Sequence, residues 1–327
     1  MTLPRRLHLA HLPTPIQHLD RLSKKLNKDI YLKRDDHTGI EFSGNKVRKL
    51  EFALQEALDR GAQVLITCGG LQSNHARATA AVARRLGLDC HLVLRGTPEL
   101  PDHGNLFLDL LMDVNITYME PEEFNDHHME MMRALKEEYD ASGMPAYLLP
   151  MGASNAIGSF GYMAAYEEIL LQEINMETNF DTIVCAVGSG GTHAGLVLGN
   201  LVHGNKHQVI GIPIADDSTF FQPIVHGLVE ECLARISPGT EIPENALQFL
   251  DGYAGRGYAL NTPEEMAFIR QLATDEGVIL DPVYTGKSFR GLVQEIEKGN
   301  LGDSGKILFI HTGGLYGLFP KAGEFNL

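Results

Sequence analysis

The stretch DTIVCAVGSGGTHAGLVLGN, residues 181–200, indicates the fold class of this chain. Residues 181–191 predict a buried strand with a glycine-rich end, because a short apolar run stops at Gly188, Gly190 and Gly191. Residues 192–202 predict the helix that follows it. A strand that leads through glycines into a helix is the repeating unit of parallel sheets covered on both faces. This stretch therefore predicts an α/β protein.

The same alternation continues in both directions along the 327 residues. Apolar runs predict strands at 29–35, 63–70, 90–96, 115–120, 146–152, 208–216 and 306–314. Helical spacing predicts helices at 45–60, 74–86, 122–142, 155–173, 220–235, 263–276 and 287–298, with a short one between 96 and 115. So many units exceed one sheet, and they predict two α/β domains with a cleft between them. In such sheets ligands bind at the carboxyl ends of the strands.

Composition excludes several classes of function. The formal net charge is −15, and basic residues never cluster beyond pairs, which argues against binding to nucleic acid or to an anionic membrane. The chain has no run of about 18 apolar residues and no signal-peptide pattern, so a cytoplasmic location is expected. The cysteines are far apart and lie mostly in apolar runs, which predicts buried, reduced thiols and neither a disulfide framework nor a zinc site. They are Cys68, Cys90, Cys185 and Cys232.

A lysine at a predicted helix start is the first candidate for chemistry. Lys46 lies in SGNKVRK, residues 43–49, in the first turn of the helix, where the helix dipole disfavours a positive charge. An amine whose ammonium form is disfavoured is suited to forming a Schiff base. Lys49, one turn further on, would lower the pKa of Lys46 or pair with a phosphate. On spacing alone, an ordinary basic helix face is the better interpretation.

Two strand ends carry groups that could bind anions. Residues 188–192, GSGGT, expose successive backbone N–H groups at a helix start, as a phosphate site requires. Residues 69–75, GGLQSNH, could hold a carboxylate in the same way, although a helix cap at Ser73 is the simpler interpretation. The first loop also half-matches a dinucleotide-binding pattern, with Asp216 where a ribose-binding acid would stand. Because His193 stands where that pattern needs a small residue, a nicotinamide enzyme is an alternative and not the favoured interpretation.

Two further segments carry polar residues near predicted strand ends, DPVYTGKS (281–288) and HTGG (311–314). Tyr284 could act as an acid or base if its pKa is perturbed, or it could be a core aromatic residue with a satisfied hydroxyl. The adjacent His127 and His128 have polar neighbours and are predicted to lie on the surface.

Together these segments resemble the family of pyridoxal-phosphate enzymes that includes D-cysteine desulfhydrase and 1-aminocyclopropane-1-carboxylate (ACC) deaminase. The matching segments run nearly end to end in the family's order: PTPIQHLDRLS (13–23), YLKRDDHTG (31–39), GNKVRKLEF (44–52), SNHAR (73–77), GSGGTHAGL (188–196), DPVYTGKS (281–288) and ILFIHTGG (307–314). The resemblance implies two domains, each a mostly parallel sheet flanked by helices, as in the tryptophan synthase β-subunit. Residues 1–46 plus 162–327 would form the large domain that binds pyridoxal phosphate, and residues 47–161 the small one. It also implies a homodimer that acts on a small amino acid.

The resemblance further implies roles for single residues. Lys46 would hold the cofactor as a Schiff base, and the other catalytic residues would be Ser73, Tyr284 and Tyr258, with Ser73 contacting the substrate carboxylate. The implied cofactor-binding residues are Lys46, Lys49, Asn74, Gly188, Ser189, Gly190, Gly191, Thr192, Thr285 and Thr312. The implied substrate-binding residues are Ser73, Asn74, His75, Tyr258 and Tyr284. Tyr316, where the family often has a smaller residue, could narrow the pocket.

Two threonines favour one reaction within this family. Thr285 stands where the family contacts the pyridine nitrogen of the cofactor, and ACC deaminases have a glutamate there. A neutral threonine makes the cofactor a weaker electron sink, and Thr312 replaces a leucine of the deaminases. Both favour α,β-elimination from D-cysteine, giving pyruvate, ammonia and hydrogen sulfide, over opening of the ACC ring. ACC deamination, release of sulfite from L-cysteate and a catalytically silent regulator are the alternatives.

Overall fold

The computed structural model describes residues 2–97, 103–302 and 304–327, and two mostly parallel sheets form its framework. The larger sheet contains β1 (Ile16–His18), β2 (Asp29–Lys33), β7 (Thr182–Val187), β8 (Gln208–Pro213), β9 (Gln248–Phe249) and β10 (Lys306–Ile310), in the order β1-β2-β10-β7-β8-β9. The smaller sheet contains β3 (Val64–Gly70), β4 (Asp89–Arg95), β5 (Asn115–Met119) and β6 (Ala146–Leu148), in the order β5-β4-β3-β6. The predicted α/β class with two sheets is confirmed.

Helices cover both sheets. They are α1 (Asp20–Leu26), α2 (Lys46–Asp59), α3 (Asn74–Leu86), α4 (Gly104–Leu111), α5 (Pro121–Ala141), α6 (Ala156–Asn175), α7 (Gly191–Val202), α8 (Ser218–Ile236), α9 (Pro263–Glu276), α10 (Thr285–Glu297) and α11 (Leu315–Leu318). The elements that the sequence did not predict include β1, α1 and β9, which are too short for a hydrophobic period to show. The helix α10 begins two residues before its predicted start, so Tyr284 lies at its N-cap.

The sheets are compatible with the predicted domains. All strands of the smaller sheet lie within residues 47–161, and all strands of the larger sheet lie within 1–46 or 162–327. The boundaries themselves stay a prediction. None of the helices in the described residues has the length and apolar content needed to cross a membrane.

The helix α6 packs closely against both α2 and α7 because glycines allow it. A Cβ atom on Gly161 of α6 would lie 2.4 Å from the carbonyl oxygen of Arg48 on α2. A Cβ atom on Gly195 of α7 would lie 2.3 Å from the carbonyl oxygen of Ser159 on α6. No side chain fits at such distances. The helix that begins at Lys46 and the helix that begins at the glycine-rich loop are therefore held against a common partner.

A buried network of charges ties α2 to α6. Arg48 donates to both carboxylate oxygens of Asp35, at 2.9 and 2.8 Å, and to both oxygens of Glu168, at 3.0 Å each. The hydroxyl of Tyr162 donates to Asp35 at 2.6 Å. Burial alone would raise the pKa of Asp35, but the charges of Arg48 and Lys33 together hold it below its ordinary value. Asp35 therefore stays ionised in the interior.

All four cysteines are buried, and none forms a disulfide. This confirms the prediction of buried, reduced thiols. Cys232 donates to the carbonyl oxygen of Ala156 at 3.2 Å, so even the cysteine outside the predicted apolar runs is part of the core.

We predict that Asp35→Asn lowers the free energy of unfolding by about 3–5 kcal/mol, because it removes the fully buried one of the two carboxylates that pair with Arg48. Urea unfolding at neutral pH measures the change. The deficit should shrink in acid: the pKa of Asp35 is depressed in the folded chain, so its stabilisation is present above about pH 4 and is lost as the pH falls through the folded value. Glu324→Gln is the control, since its pair with Lys321 at 2.7 Å is on the surface and contributes about 0–1 kcal/mol. Equal losses in the two variants would contradict the assignment.

Candidate active site

A pocket lies between the two sheets, where loops from both converge. Its lining includes Gly70 at the end of β3, Arg95 at the end of β4, Gly188 after β7 and Thr312 after β10, so it lies at the carboxyl ends of parallel strands. Eleven of the residues singled out from the sequence line it: Lys46, Ser73, Asn74, His75, Gly188, Ser189, Gly190, Thr192, Tyr258, Tyr284 and Thr312. Lys49, Gly191 and Thr285 do not line it.

Lys46 begins α2 and reaches into the pocket. Its Nζ donates to Asn45 Oδ1 at 3.1 Å and lies 5.8 Å from the centre of the Tyr284 ring. Burial lowers the pKa of Lys46 to about 8, with the Asp281 carboxylate opposing this shift and the Arg77 cation adding to it. An appreciable fraction of neutral amine is therefore present near neutral pH, as reaction with a carbonyl group requires.

Lys49 lies one turn further along α2, on the same face as Lys46. Its Nζ donates to the carbonyl oxygen of Gly152 at 3.1 Å and to Ser154 Oγ at 3.0 Å. Burial, and then the charge of Lys46, lower the pKa of Lys49 well below its ordinary value. No carboxylate among the described residues forms an ion pair with either lysine, so the pair is open to an anion from outside the chain.

The loop above Lys49 has the chemistry of a phosphate site. Ser154 Oγ lies 2.8 Å from Ser189 Oγ and accepts from the Gly191 N–H at 3.3 Å. A Cβ atom at Gly191 would lie 2.8 Å from both Lys49 Nζ and Ser154 Oγ, so only glycine leaves this cradle open. The twelve-residue helix α7 starts here, with the positive end of its dipole at the loop. Hydroxyl, N–H and ammonium donors around one space match the oxygens of a phosphate group.

The start of α3 is a second place for an anion. Ser73 caps the helix, with its Oγ accepting from the Ala76 N–H at 3.1 Å. The N–H groups of Asn74 and His75 donate to no described residue. His75 is fixed by the contact of its Nε2 with Thr67 Oγ1 at 2.8 Å, and burial, Lys46 and Lys49 lower its pKa well below the ordinary value. A carboxylate placed here would meet free N–H groups at a helix start.

Two tyrosines form a hydrogen-bonded pair in the pocket. The hydroxyls of Tyr258 and Tyr284 are 2.7 Å apart. Burial raises the pKa of both, and that of Tyr284 by the larger amount, so both are protonated at neutral pH and can donate. Lys287 holds the loop that carries Tyr258, since its Nζ donates to the carbonyl oxygens of Ala254 and Gly257 at 2.6 Å each.

Thr285 turns its hydroxyl towards Asp281 at the start of α10. Its Oγ1 donates to Asp281 Oδ1 at 2.7 Å, and the same carboxylate accepts from the N–H groups of Val283, Tyr284 and Thr285. Four donors therefore satisfy this buried carboxylate. Position 285 carries no charge, and the contact of Thr285 with the cofactor's pyridine nitrogen stays a prediction.

Asn105 of α4 fixes the side chain of Asn74. Its Nδ2 donates to Asn74 Oδ1 at 3.0 Å and to the carbonyl oxygen of Gln72 at 2.9 Å, while its Oδ1 accepts from Arg77 Nε at 3.1 Å. Asn74 Oδ1 is thus occupied, and its Nδ2 group donates to no described residue. The network leaves that amide nitrogen available to a ligand.

Arg77 connects the same network to the loop before Lys46. Its guanidinium donates to the carbonyl oxygens of Glu41 and of Ser43, the latter at 3.0 Å, and stacks on the Tyr316 ring at 5.1 Å. Tyr316 therefore packs behind Arg77 and is not among the residues that line the pocket, contrary to the expectation that it narrows it. No carboxylate among the described residues lies within ion-pair distance of Arg77.

The helix α5 supplies a wall of the pocket that the sequence did not predict. Phe124, Asn125 and His128 line it. The His128 ring stacks on Phe124 with centres 4.8 Å apart, and its Nδ1 donates to the Phe124 carbonyl oxygen at 2.7 Å. Of the two adjacent histidines predicted to lie on the surface, His127 is exposed and contacts Glu130, whereas His128 is half-buried and lines the pocket. Helical spacing predicts that residues 124, 125 and 128 lie on one face of α5, but it does not predict which residues that face contacts.

Comparison with known proteins gives consistent results. Residues 7–313 match the family described as "Pyridoxal-phosphate dependent enzyme". The chain is 41% identical over 326 residues to a mitochondrial bifunctional D-cysteine desulfhydrase/1-aminocyclopropane-1-carboxylate deaminase of Arabidopsis thaliana, covering 97% of this chain and 80% of that protein. It is 40% identical over 320 residues to a D-cysteine desulfhydrase of Yersinia pestis, covering 96% and 95%. A solved structure of an ACC deaminase homologue matches with a TM-score of 0.89 and 40% identity, covering 98% of this chain and 95% of that one.

We predict that the Lys46 amine titrates near pH 8 once any bound cofactor is removed. Because burial lowers its pKa to about 8, the neutral amine is present above that pH and decreases tenfold per pH unit below it. Ordinary exposed lysines titrate near 10.4. Trace acetylation with acetic anhydride at a series of pH values, followed by peptide mass spectrometry, measures the pKa of Lys46 and that of exposed lysines in one sample.

Variants at Arg77 test the cause of this shift. The charged and titratable groups around Lys46 are Asp281, Arg77, Lys49, His75 and Tyr284. Arg77→Gln removes a cation and should raise the pKa of the Lys46 amine above its wild-type value. The control Arg77→Lys keeps the charge, so the pKa of Lys46 should stay close to the wild-type value. A wild-type midpoint at the ordinary lysine value would contradict the prediction.

Proposed function

The chain belongs to the pyridoxal-phosphate-dependent enzyme family, and we propose that it is a lyase that removes the β-substituent of a small amino acid, with D-cysteine as its substrate. The reaction breaks the Cα–H and Cβ–S bonds, consumes one water and gives pyruvate, ammonia and hydrogen sulfide. One observation carries the proposal: the amine of Lys46, with its lowered pKa, shares a pocket with a phosphate-binding loop and a pair of tyrosines. Membership of this family gives no support to the alternative of a nicotinamide enzyme, which rested on the partial dinucleotide-binding pattern.

Polar groups from several elements around the pocket would hold the cofactor. Lys49, Ser154 and the N–H of Gly191 suit its phosphate, together with the hydroxyls of Ser189 and Thr192. Lys46 would bind its aldehyde carbon covalently, and the Asn74 amide nitrogen would donate to its phenolic oxygen. When bound, pyridoxal phosphate supplies the electron sink that stabilises negative charge on the substrate's α-carbon.

The substrate's carboxylate fits the start of α3. The free N–H groups of Asn74 and His75 would bind it, and Ser73 would add its hydroxyl proton, because Ser73 Oγ already accepts from the Ala76 N–H and can donate elsewhere. This arrangement would orient the α-hydrogen relative to Lys46, whose neutral amine takes up the proton. A base of pKa about 8 operates efficiently near neutral pH.

The tyrosine pair would serve the leaving group. Both hydroxyls are protonated, and one donates to the other, which leaves one proton directed elsewhere. That proton can form a hydrogen bond to the departing sulfur and stabilise the charge that grows on it, and the hydrosulfide that leaves takes up its proton from water. Lys287 supports this role indirectly by fixing the loop that carries Tyr258.

The choice of D-cysteine over ACC rests on two uncharged positions. Thr285 has its hydroxyl committed to Asp281 and brings no carboxylate to the cofactor, while Thr312 puts a hydroxyl residue in the pocket lining. ACC deamination is the second candidate, because relatives of this chain carry names for both activities. Homodimeric assembly and a cytoplasmic location remain predictions.

A product assay on the purified protein tests the proposal. With D-cysteine we expect sulfide and pyruvate in equal amounts, and with ACC we expect 2-oxobutyrate at least about tenfold more slowly, a difference of about 1.4 kcal/mol in activation free energy. Lys46→Ala should abolish all products and also the covalent retention of cofactor after borohydride reduction, read by peptide mass. The control is Lys24→Ala, at an exposed lysine of α1.

Two outcomes would overturn this assignment. Faster turnover of ACC than of D-cysteine would show that the protein is an ACC deaminase. Covalent cofactor in Lys46→Ala, at the level of the Lys24→Ala control, would show that another amine holds it.

A further inference from the structure

Lys287 places a buried amine just outside the pocket. It is the third residue of α10, it is 1% exposed, and it does not line the pocket. Its Nζ donates to the carbonyl oxygens of Ala254 and Gly257 at 2.6 Å each. Both partners belong to the backbone of residues 251–259, which we call the tyrosine loop because it carries Tyr258. The ammonium is therefore bound by oxygens that carry no formal charge.

The backbone of the tyrosine loop turns so that two of its carbonyl oxygens face the same ammonium. Gly252, Gly255 and Gly257 have φ values of 92°, 63° and 114°, in the region that favours glycine. The N–H of Gly257 donates to the carbonyl oxygen of Ala254 at 3.2 Å, which closes the turn between the two oxygens. Backbone carbonyl oxygens brought together in this way can replace the water shell of a potassium ion.

A carboxylate close to the loop favours a positive charge there. Burial lowers the pKa of Lys287, and the charge of Glu265 opposes this shift by more than the charge of Lys321 adds to it. A Cβ atom on Gly255 would lie 2.5 Å from Glu265 Oε1, so the carboxylate approaches the loop closely. Its other oxygen is fixed by Asn261, whose Nδ2 donates to it at 3.1 Å. Neutral oxygens with a negative charge nearby suit a cation of single charge.

The ammonium also links the two pocket tyrosines. Tyr284 is the N-cap of α10, and Lys287 lies three residues further along that helix. Tyr258 follows Gly257 directly, so the helix that begins at one tyrosine holds, through Lys287, the loop that carries the other. The two hydroxyls are 2.7 Å apart. Loss of the positive charge would release the loop and separate this pair.

We propose that Lys287 occupies a monovalent-cation site, in which its tethered ammonium takes the place of a free potassium or ammonium ion. The two carbonyl oxygens bind the cation, the carboxylate of Glu265 attracts it, and the cation holds the tyrosine loop in position. Because the side chain supplies the cation at a high local concentration, the native protein needs none from solution. Lys287 is thus a positioning residue. The inference rests on the proposed function only for the part that the tyrosine pair plays in turnover.

Thermal unfolding of the holoenzyme tests whether the site binds a free cation. Lys287→Ala removes the ammonium and its stem, so that an ion can enter. For this variant, potassium or ammonium chloride should raise Tm by about 2 °C or more over tetramethylammonium chloride at equal concentration, because a ligand of the folded state stabilises that state. Tetramethylammonium keeps the ionic strength constant but is too large for the site. Wild-type Tm should differ by less than about 1 °C between these salts.

Turnover of D-cysteine gives the second measurement. In tetramethylammonium chloride, Lys287→Ala should lose about tenfold or more in kcat, and potassium chloride should raise its kcat again by about fivefold or more. Lys287→Met fills the space without a charge, so it should lose the same activity and recover none of it in any salt. Lys28→Ala is the matched control, because Lys28 donates to a backbone carbonyl oxygen at the surface, that of Gly302 at 2.8 Å. Its loss should create no dependence on the cation.

Several results would overturn the proposal. Equal Tm values of Lys287→Ala in all three salts would show that no cation site exists, and full activity of this variant in tetramethylammonium chloride would remove the positioning role. A Tm that responds to potassium while kcat does not would also remove that role.

A second variant covers the case in which Lys287→Ala does not fold. Lys287→Ser also leaves room for the ion and takes the same tests. Failure of both variants to fold in potassium buffer would overturn the proposal, since a free cation should then have replaced the ammonium. A wild-type protein that releases no sulfide would overturn the elimination, but the Tm of Lys287→Ala would still decide whether the cation site exists.

Discussion

The ion pair between Arg48 and Asp35 is the constraint on which the pocket depends. Both side chains are almost wholly excluded from solvent, and either charge alone would be costly there. Only one placement of α2 satisfies Arg48 together with Asp35, Glu168 and the close contact at Gly161. Because Lys46 and Lys49 stand on the same helix, two residues before and one after Arg48, the network also determines where the two pocket amines lie.

The second principle of this molecule is a separation of charges. Carboxylates outnumber cationic side chains in the sequence but are absent from the described pocket lining, and the buried carboxylate of Asp281, whose charge raises the pKa of Lys46, accepts from four donors. The pKa of Lys49 is lowered by burial and then by the charge of Lys46, and that of Lys46 by burial and then by the charge of Arg77. The charged forms of these lysines are disfavoured until an anion enters the pocket. Binding of an anionic ligand therefore also stabilises their ammonium forms.

The parts of this arrangement that depend on local sequence could be predicted, and the parts that depend on distant contacts could not. The loop at residues 188–192 and the helix that begins at Lys46 carry their glycines, hydroxyl and amines within a few residues, so the pattern is visible in the sequence. Arg95, Asn105 and His128 carry no such signal. Each becomes part of the site because a strand end or a helix face meets residues far away in the chain, as when Asn105 reaches Asn74.

The four cysteines have a consequence for an enzyme proposed to make sulfide. Burial raises the pKa of Cys68, Cys185 and Cys232 to about 12, and that of Cys90 further, so almost no thiolate exists in the folded chain. Sulfide alone does not modify a thiol, but an oxidant acting beside it gives persulfides and mixed disulfides through thiolates, and the native protein presents almost none. Resistance to oxidative modification is in this way a property of the core. The same thiols become reactive only when the chain unfolds, so the extent of their alkylation measures how much of a sample is unfolded.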